Sequence, residues 1–423
     1  MLELQKLRSY KEDIINKLKK RGIDAQSSIE GILADDERRR SVQQQLDQTL
    51  AESNNLAKQI GQLMKQGQKE EAEKIKRKTA ELKESSKRLS EDLATSQDKI
   101  ADALLNIPNA PHNDVPSGTN EEDNIVLEEF GEIPELYSKA VPHWELISRY
   151  DIVDFELGNK VTGAGFPFYK GKGARLQRAL LNFFLDEASE AGYLEVQPPV
   201  VINKDSGQAT GQLPDKEGQM YDLAGTDYFL IPTAEVPITN MYRGEIIEEK
   251  KLPIKNTAYS PCFRREAGSW GSHVRGLNRL HQFDKVELVR IEKPENSYEA
   301  LEEMGKHVGS LLEKLELPYR ILLLCGGDLG FTSAKTYDFE VFSTAQKKWL
   351  EVSSVSNFET YQSNRLKLRY KDSTKKSQLL HTLNGSALAF PRILAAILEN
   401  NQTEEGIRIP KVLHKYAGFE MIN

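Results

Sequence analysis

Cysteine is scarce in this chain: Cys262 and Cys325 are the only two, too few for a disulfide framework or a cysteine-based metal site. The seven histidines include no HExxH, and no Ser/His/Asp set can be read from spacing, so nothing demands a transition metal. Long apolar runs are also missing. The longest aliphatic run, Ile321 to Leu324, is far too short to cross a bilayer. The start, MLELQKLRSYKEDI, has no apolar signal core, which makes cytoplasmic residence the default expectation. GAGFPFYKGKG is not a phosphate loop: five residues separate Gly165 from Gly171, and Gly173 stands where Ser or Thr is needed.

What is present is a chain of 423 residues with 39% hydrophobic content, enough for a sizeable core and two or three domains. Net charge is −7, yet residues 1–104 carry 21 Lys+Arg against 19 Asp+Glu, so the acidic excess lies wholly beyond them. That asymmetry suits a nucleic-acid-binding appendage on an acidic body.

Residues 1–23 read as one short amphipathic helix ended by Gly22. From about Ser27 a heptad repeat begins, with seam positions Val42, Leu46, Thr49, Ser53, Leu56, Ile60 and Leu63 alternately four and three apart. Gly67 interrupts it, and Ala72, Ile75, Thr79, Leu82, Ser86, Leu89, Leu93, Ser96, Ile100 and Ala103 resume the spacing. The pattern predicts an antiparallel coiled-coil hairpin with arms on the order of 50 to 60 Å. Its second arm is basic, with Lys74, Arg77, Lys78 and Arg88 prominent. Such a stripe can neutralise phosphates; a solvated outer face explains it equally well. Three prolines and several turn formers fill residues 106–120, where a linker is expected between a helical domain over 1–105 and a second domain over 121–423.

In that second part, a helix burying Leu176, Leu180, Phe183, Phe184 and Ala188 ends at Gly192. YLEVQPPVVIN, residues 193–203, reads as a strand closed by Pro198 and Pro199, for which an edge strand suffices. YFLIPTAEVP runs a strand into Thr233-Ala234-Glu235. There a hydroxyl and a carboxylate two apart suit a small ammonium-bearing ligand or, alternatively, a helix N-cap. A second amphipathic helix spans residues 296–315. In WLEVSSVSN, Glu351 and Ser354 are three apart, so a bulge or a strand end is needed if both are to hold one ion.

The most informative stretch is FRREAGSWGSHVRGLNRLHQFDKVELV, from Phe263 to Val289. Strand alternation puts Arg264 and Glu266 on one face, and Phe283, Lys285, Glu287 and Val289 on one face of a returning strand. The joining loop offers His273, Arg275 and Arg279 to an anionic ligand. An ordinary hairpin with a charged solvent face is the bland alternative.

This stretch resembles motif 2 of the class II aminoacyl-tRNA synthetases in its bacterial seryl form. The 193–203 segment is similar to motif 1, the element that forms the dimer interface in that family. HTLNGSALAFPRILAAILENNQ, residues 381–402, reads as a strand, a turn at Gly385 and a helix, and it resembles motif 3. The resemblance implies an α+β fold: a tRNA-gripping coiled-coil hairpin and a catalytic domain on a mainly antiparallel sheet flanked by helices. It implies serine activation by ATP with Mg²⁺, transfer to tRNA(Ser), and a homodimer; tRNA(Sec) stays open as a further substrate. Arg264 would hold the α-phosphate, with Arg265 beside it, Glu266 the adenine amino group, and Phe283 and Arg392 the two adenine faces. Glu351, Val352, Ser353 and Ser354 would lie at the ATP, Glu351 and Ser354 holding the metal, and Arg264 and Arg392 would be catalytic. Thr233, Ala234, Glu235, Glu287 and Ser386 would line the serine pocket. Two departures stand out: Pro391, where glycine commonly precedes the arginine, and Arg265, where serine is common. Rival readings are a ligase charging a carrier protein, which would lack the arm, and an inactive RNA-binding paralogue, which would lack Arg264, Glu351 or Arg392.

Overall fold

The computed structural model describes residues 1–266 and 275–423. Heptad spacing does what it predicts. Where one N-terminal helix was expected there are two, α1 (Leu4–Ser9) and α2 (Lys11–Lys19), separated at Tyr10, whose backbone leaves the helical region. The break lets Leu7 and the set Ile14, Ile15 and Leu18 each turn inward as both helices pack on α3 (Gln26–Lys65). Gly67, with φ +80°, makes the turn into α4 (Lys69–Leu105). Every expected seam residue is buried or half-buried, and Leu104, beside the expected Ala103, is buried as well. Cross-helix pairs Lys78–Glu52 at 2.6 Å and Lys99–Asp35 at 2.8 Å fix the antiparallel register. The 40 residues of α3 span about 60 Å at 1.5 Å per residue. Residues 106–120 form no helix or strand.

The chain divides into two compact units, one of Leu2–Lys19 and Ile23–Pro108, the other of Met1, Lys20–Gly22 and Asn109–Asn423. The second is built on an eight-stranded sheet. In chain order its strands are β1 (Ile125–Phe130), β2 (Leu194–Glu195), β3 (Ile254–Phe263), β4 (Gln282–Glu292), β5 (Tyr319–Leu323), β6 (Lys335–Ser343), β7 (Lys348–Asn357) and β8 (His381–Ala389). They are arranged β1-β5-β6-β7-β8-β4-β3-β2, and all neighbours are antiparallel except β2 and β3. The expected long strand over 193–203 is therefore two short ones. Residues 194 and 195 edge the sheet, and Val201–Asn203 pairs instead with Tyr228–Leu230. Pro198 and Pro199, which have no N–H to give, occupy the break.

Helices α5 (His143–Arg149), α6 (Gly171–Glu190), α7 (Glu235–Asn240), α8 (Ser297–Lys314), α9 (Thr360–Leu366) and α10 (Phe390–Asn400) complete the parts used below. Leu176, Leu180, Phe183, Phe184 and Ala188 of α6 are fully buried, as are Leu301, Val308, Leu311 and Leu312 of α8. With α10 and the sheet they form one core. Pro391 sits in the first turn of α10, where its missing N–H costs no helical bond.

Gly385 is not a turn. It lies within β8, opposite Val355 and Leu288. A Cβ there would meet Met304 Cε at 3.2 Å and Val355 Cγ2 at 3.3 Å. Gly385→Ala is expected to destabilise by about 1 kcal/mol through overpacking, read as a fall of a few degrees in Tm.

Candidate active site

Motif-like segments meet at one end of β3, β4 and β8. The alternation expected for Arg264 and Glu266 does not apply, because β3 ends at Phe263. Beyond it the Arg264 N–H donates to the His281 carbonyl and the Arg265 N–H to the Gln219 carbonyl, both at 2.9 Å. Glu266 takes a φ of +47°. Arg264 still continues the pairing toward β4 at His281, and the switch of Arg265 to Gln219 ends the alternation. The Arg264 guanidinium lies 5.3 Å from the centroid of the Phe283 ring, a cation–π contact. Glu266 accepts from Arg279 at 2.9 Å, and Arg275 stands over Trp144 at 4.8 Å. His273 lies outside the described residues.

On β4 alternation holds. Lys285 Nζ meets Glu287 Oε2 at 2.5 Å, and both residues are buried. The Thr233 hydroxyl donates to Glu287 Oε2 at 2.9 Å and accepts the Glu235 N–H at 3.2 Å. Thr233 thus takes up the first N–H of α7 and links it to the pocket, while the N-cap residue Ala234, which gives no side-chain cap, packs beneath against Ala258 and Val289. Register places Ser386 opposite Glu287, and its carbonyl accepts from the Ser353 hydroxyl at 2.7 Å.

Two residues that sequence reasoning missed tie the pocket together. Asn384 Nδ2 donates to Glu235 Oε2 at 2.9 Å and to Glu287 Oε1 at 3.1 Å, bridging two buried carboxylates. Gln362 Nε2 donates to Glu235 Oε1 at 2.7 Å, while its Oε1 accepts from Thr382 at 2.7 Å. Asn384 is two residues before Ser386 on one strand, so alternation was a signal for it. Gln362, on α9, had none. Burial first, then the charge of Glu287, pushes the Glu235 carboxyl up to about 7.

The bulge expected between Glu351 and Ser354 is present. Phe339 pairs with Ser353 and Glu340 with Glu351, leaving Val352 as the extra residue. Ser354 Oγ thereby comes within 3.3 Å of Glu351 Oε1. Nearby, burial first and then Glu351 hold the Asp338 carboxyl well above the usual aspartate range, and Asp338 Oδ1 is buried with no hydrogen-bond partner among the described residues. These are hard oxygen donors, few in number, a set that fits Mg²⁺ sharing its remaining positions with phosphates and water. Among the described residues no cluster of three or more His, Cys, Asp or Glu offers a competing metal site. Arg392 donates through Nη1 to the Glu351 carbonyl at 2.6 Å and through Nε to the Asn278 carbonyl at 3.0 Å. Desolvation pushes the Glu351 carboxyl up, but the charges of Arg392 and Arg264 together with hydrogen bonds from Arg392 and Ser354 hold it below the usual glutamate range.

In the helical unit Lys74, Arg77, Lys78 and Arg88 are all exposed. Lys78 is paired with Glu52, and Arg88 with Glu84 at 2.5 Å.

Residues 1–111 match the family model for the seryl-tRNA synthetase N-terminal domain. Residues 220–401 match that for the class II tRNA synthetase core domain of the G, H, P, S and T enzymes. The chain is 51% identical to a serine–tRNA ligase of Salinibacter ruber, covering 100% of this chain and 99% of that protein. It is 46% identical, with the same coverage, to one of Carboxydothermus hydrogenoformans. The seryl-tRNA synthetase of Pyrococcus horikoshii, solved with ATP, superposes with a TM-score of 0.93 at 34% identity, covering 100% of this chain and 99% of that one. With full-length relatives of this identity and both family domains in place, the chain belongs to the seryl-tRNA synthetase family.

Proposed function

We propose that this chain activates L-serine with ATP and transfers the seryl group to the 3′ end of tRNA(Ser); tRNA(Sec) stays open as a further acceptor. In the first step a serine carboxylate oxygen attacks the α-phosphorus, the bond to the β,γ-phosphates breaks, and pyrophosphate leaves. In the second, a terminal ribose hydroxyl attacks the seryl carbonyl and AMP leaves. No covalent enzyme intermediate is required, since positioning and charge neutralisation supply most of the catalysis of phosphoryl transfer.

The observation that carries this reading is the pair of buried carboxylates, Glu235 and Glu287, bridged by Asn384 and faced by one buried cation, Lys285. Such a pocket is short of positive charge and takes an ammonium group. Thr233, Glu287 and Ser386 surround the serine hydroxyl; alanine would leave their polar groups unpaired, which is how such pockets discriminate. Arg264, with Arg265 beside it, holds the α-phosphate. Glu266 exchanges Arg279 for the adenine amino group, and Phe283 and Arg392 take the adenine faces. Glu351 and Ser354 would hold Mg²⁺, with Val352 and Ser353 lining the same edge. When bound, that ion neutralises charge on the phosphates.

Residues 1–105 form the tRNA-binding domain, residues 106–120 the linker and residues 121–423 the catalytic domain. A homodimer buries the region around exposed Leu194 and Tyr228. Among the described residues no helix is long and apolar enough to cross a membrane.

The test is ATP–pyrophosphate exchange with each amino acid in turn: serine alone should drive it, and exchange with no amino acid would overturn the reading. Reversing Lys74, Arg77, Lys78 and Arg88 to Glu should leave exchange unchanged. It should lower tRNA charging by at least about tenfold, with a weaker salt dependence of tRNA binding.

A further inference from the structure

Leu277 and Asn278 are held by groups that this reaction does not otherwise use. His143, at the start of α5, is fully buried, and its Nε2 accepts the Leu277 N–H at 2.9 Å. A ring nitrogen that accepts carries no proton, so the proton sits on Nδ1. There it faces Glu399 Oε1 at 2.6 Å. Glu399 is also fully buried; the same oxygen accepts the His143 N–H at 2.8 Å and Gln346 Nε2 at 2.9 Å. Gln346 Oε1 in turn accepts from Asn278 Nδ2 at 3.0 Å. The circuit closes: Leu277, His143, Glu399, Gln346, Asn278.

The fit is close on the segment side. Gly276 has a φ of +67°, and a Cβ there would lie 2.4 Å from His143 Nε2, so no side chain fits between ring and backbone. The Asn278 carbonyl is left over, and it accepts Arg392 Nε at 3.0 Å. Arg392 is in the first turn of α10 and Glu399 in its last. One helix therefore grips residues 277 and 278 from both ends, directly through Arg392 and through His143 by way of Glu399.

We propose that His143 is a positioning residue for the nucleotide: with Glu399 it fixes residues 277 and 278, and through the Asn278 carbonyl it sets the direction of the Arg392 guanidinium. This rests on the placement of Arg392 at ATP. His143 touches neither substrate.

The experiment compares wild type, His143→Leu, His143→Gln and Gln346→Leu in serine-dependent ATP–pyrophosphate exchange, with ATP and serine varied separately and Tm recorded. Leucine fills the site but leaves the Leu277 N–H unpaired and removes the imidazole donor from Glu399, so KM for ATP should rise roughly tenfold while KM for serine stays within about twofold. Glutamine sets an acceptor and a donor at nearly the imidazole spacing and should bring KM for ATP back to within about threefold of wild type. Gln346 is only half-buried, so Gln346→Leu answers the same question if His143→Leu does not fold; a rise in KM for ATP alone is expected. A fall in Tm with both KM values unmoved, or an equal rise in both, would overturn the proposal. Wild type lacking serine-driven exchange would instead sink the functional reading itself.

Discussion

Arg264→Ala should reduce serine-dependent ATP–pyrophosphate exchange by about 10²- to 10³-fold, the usual cost of removing one preorganised group that stabilises transition-state charge. Three observations place the loss there. The guanidinium is held over Phe283. Its backbone N–H is fixed on His281, so the Cα does not move when the side chain is cut. Its charge also acts on Glu351 at the bulge, which places it close to both the ring and the candidate metal ligands. Because the attack develops charge on the phosphate, the loss should fall mainly on kcat, with KM for serine little changed. The check is steady-state exchange with serine and ATP varied separately. Residual exchange within tenfold of wild type would remove Arg264 from the chemistry.

Glu235→Gln should raise KM for serine by about a hundredfold, since one buried charge facing the ammonium is lost. Its effect on pH dependence is more diagnostic. Burial first, and then the charge of Glu287, raises the Glu235 carboxyl from 4.5 to about 7, against the lowering effect of the Gln362 hydrogen bond, Lys285 and Arg264. A carboxyl whose folded value is raised takes up a proton on folding. Its contribution to stability is therefore fully present below 4.5 and is lost as pH rises through about 7. Serine binding runs the other way, because the ammonium requires the ionised form. KM for serine should rise by about tenfold for each pH unit below about 7, and the upward shift in Tm caused by serine should grow from pH 6 to pH 8. In Glu235→Gln this pH dependence should vanish. A serine KM flat from pH 6 to pH 8 in wild type would mean that Glu235 does not carry the ammonium.

Asn384 and Gln362 explain why Glu235 ionises at all in so buried a place. A carboxylate can accept at both oxygens, and here both oxygens have amide donors. The orientation of the Gln362 amide is not arbitrary: the Thr382 hydroxyl and the Thr210 carbonyl, the latter at 3.2 Å from Nε2, select it.

Much of this was legible in the chain itself. The heptad seam named which residues of α3 and α4 face each other, because a 3.5-residue repeat has one burial solution in a two-helix hairpin. Helical spacing in α6 and α8 named their buried faces, and the three-residue separation of Glu351 and Ser354 called for a bulge or a strand end, of which β7 contains the bulge. Period and spacing are local quantities, and the residues between fixed points are enough to read them. Where β3 stops, whether Gly385 turns or packs, and that Gln362 reaches Glu235 from 127 residues away depend on which segment competes for each backbone group and on cross-strand register. Those are settled only when distant parts of the chain meet, because each buried N–H, amide and carboxylate must find a partner there. The chain alone therefore determined the coiled-coil seam, the buried faces of the long helices and the motifs. The tertiary structure decided how the carboxylates are bridged, where Arg264 points, and that a buried histidine outside the motifs ties the 275–281 segment to α10.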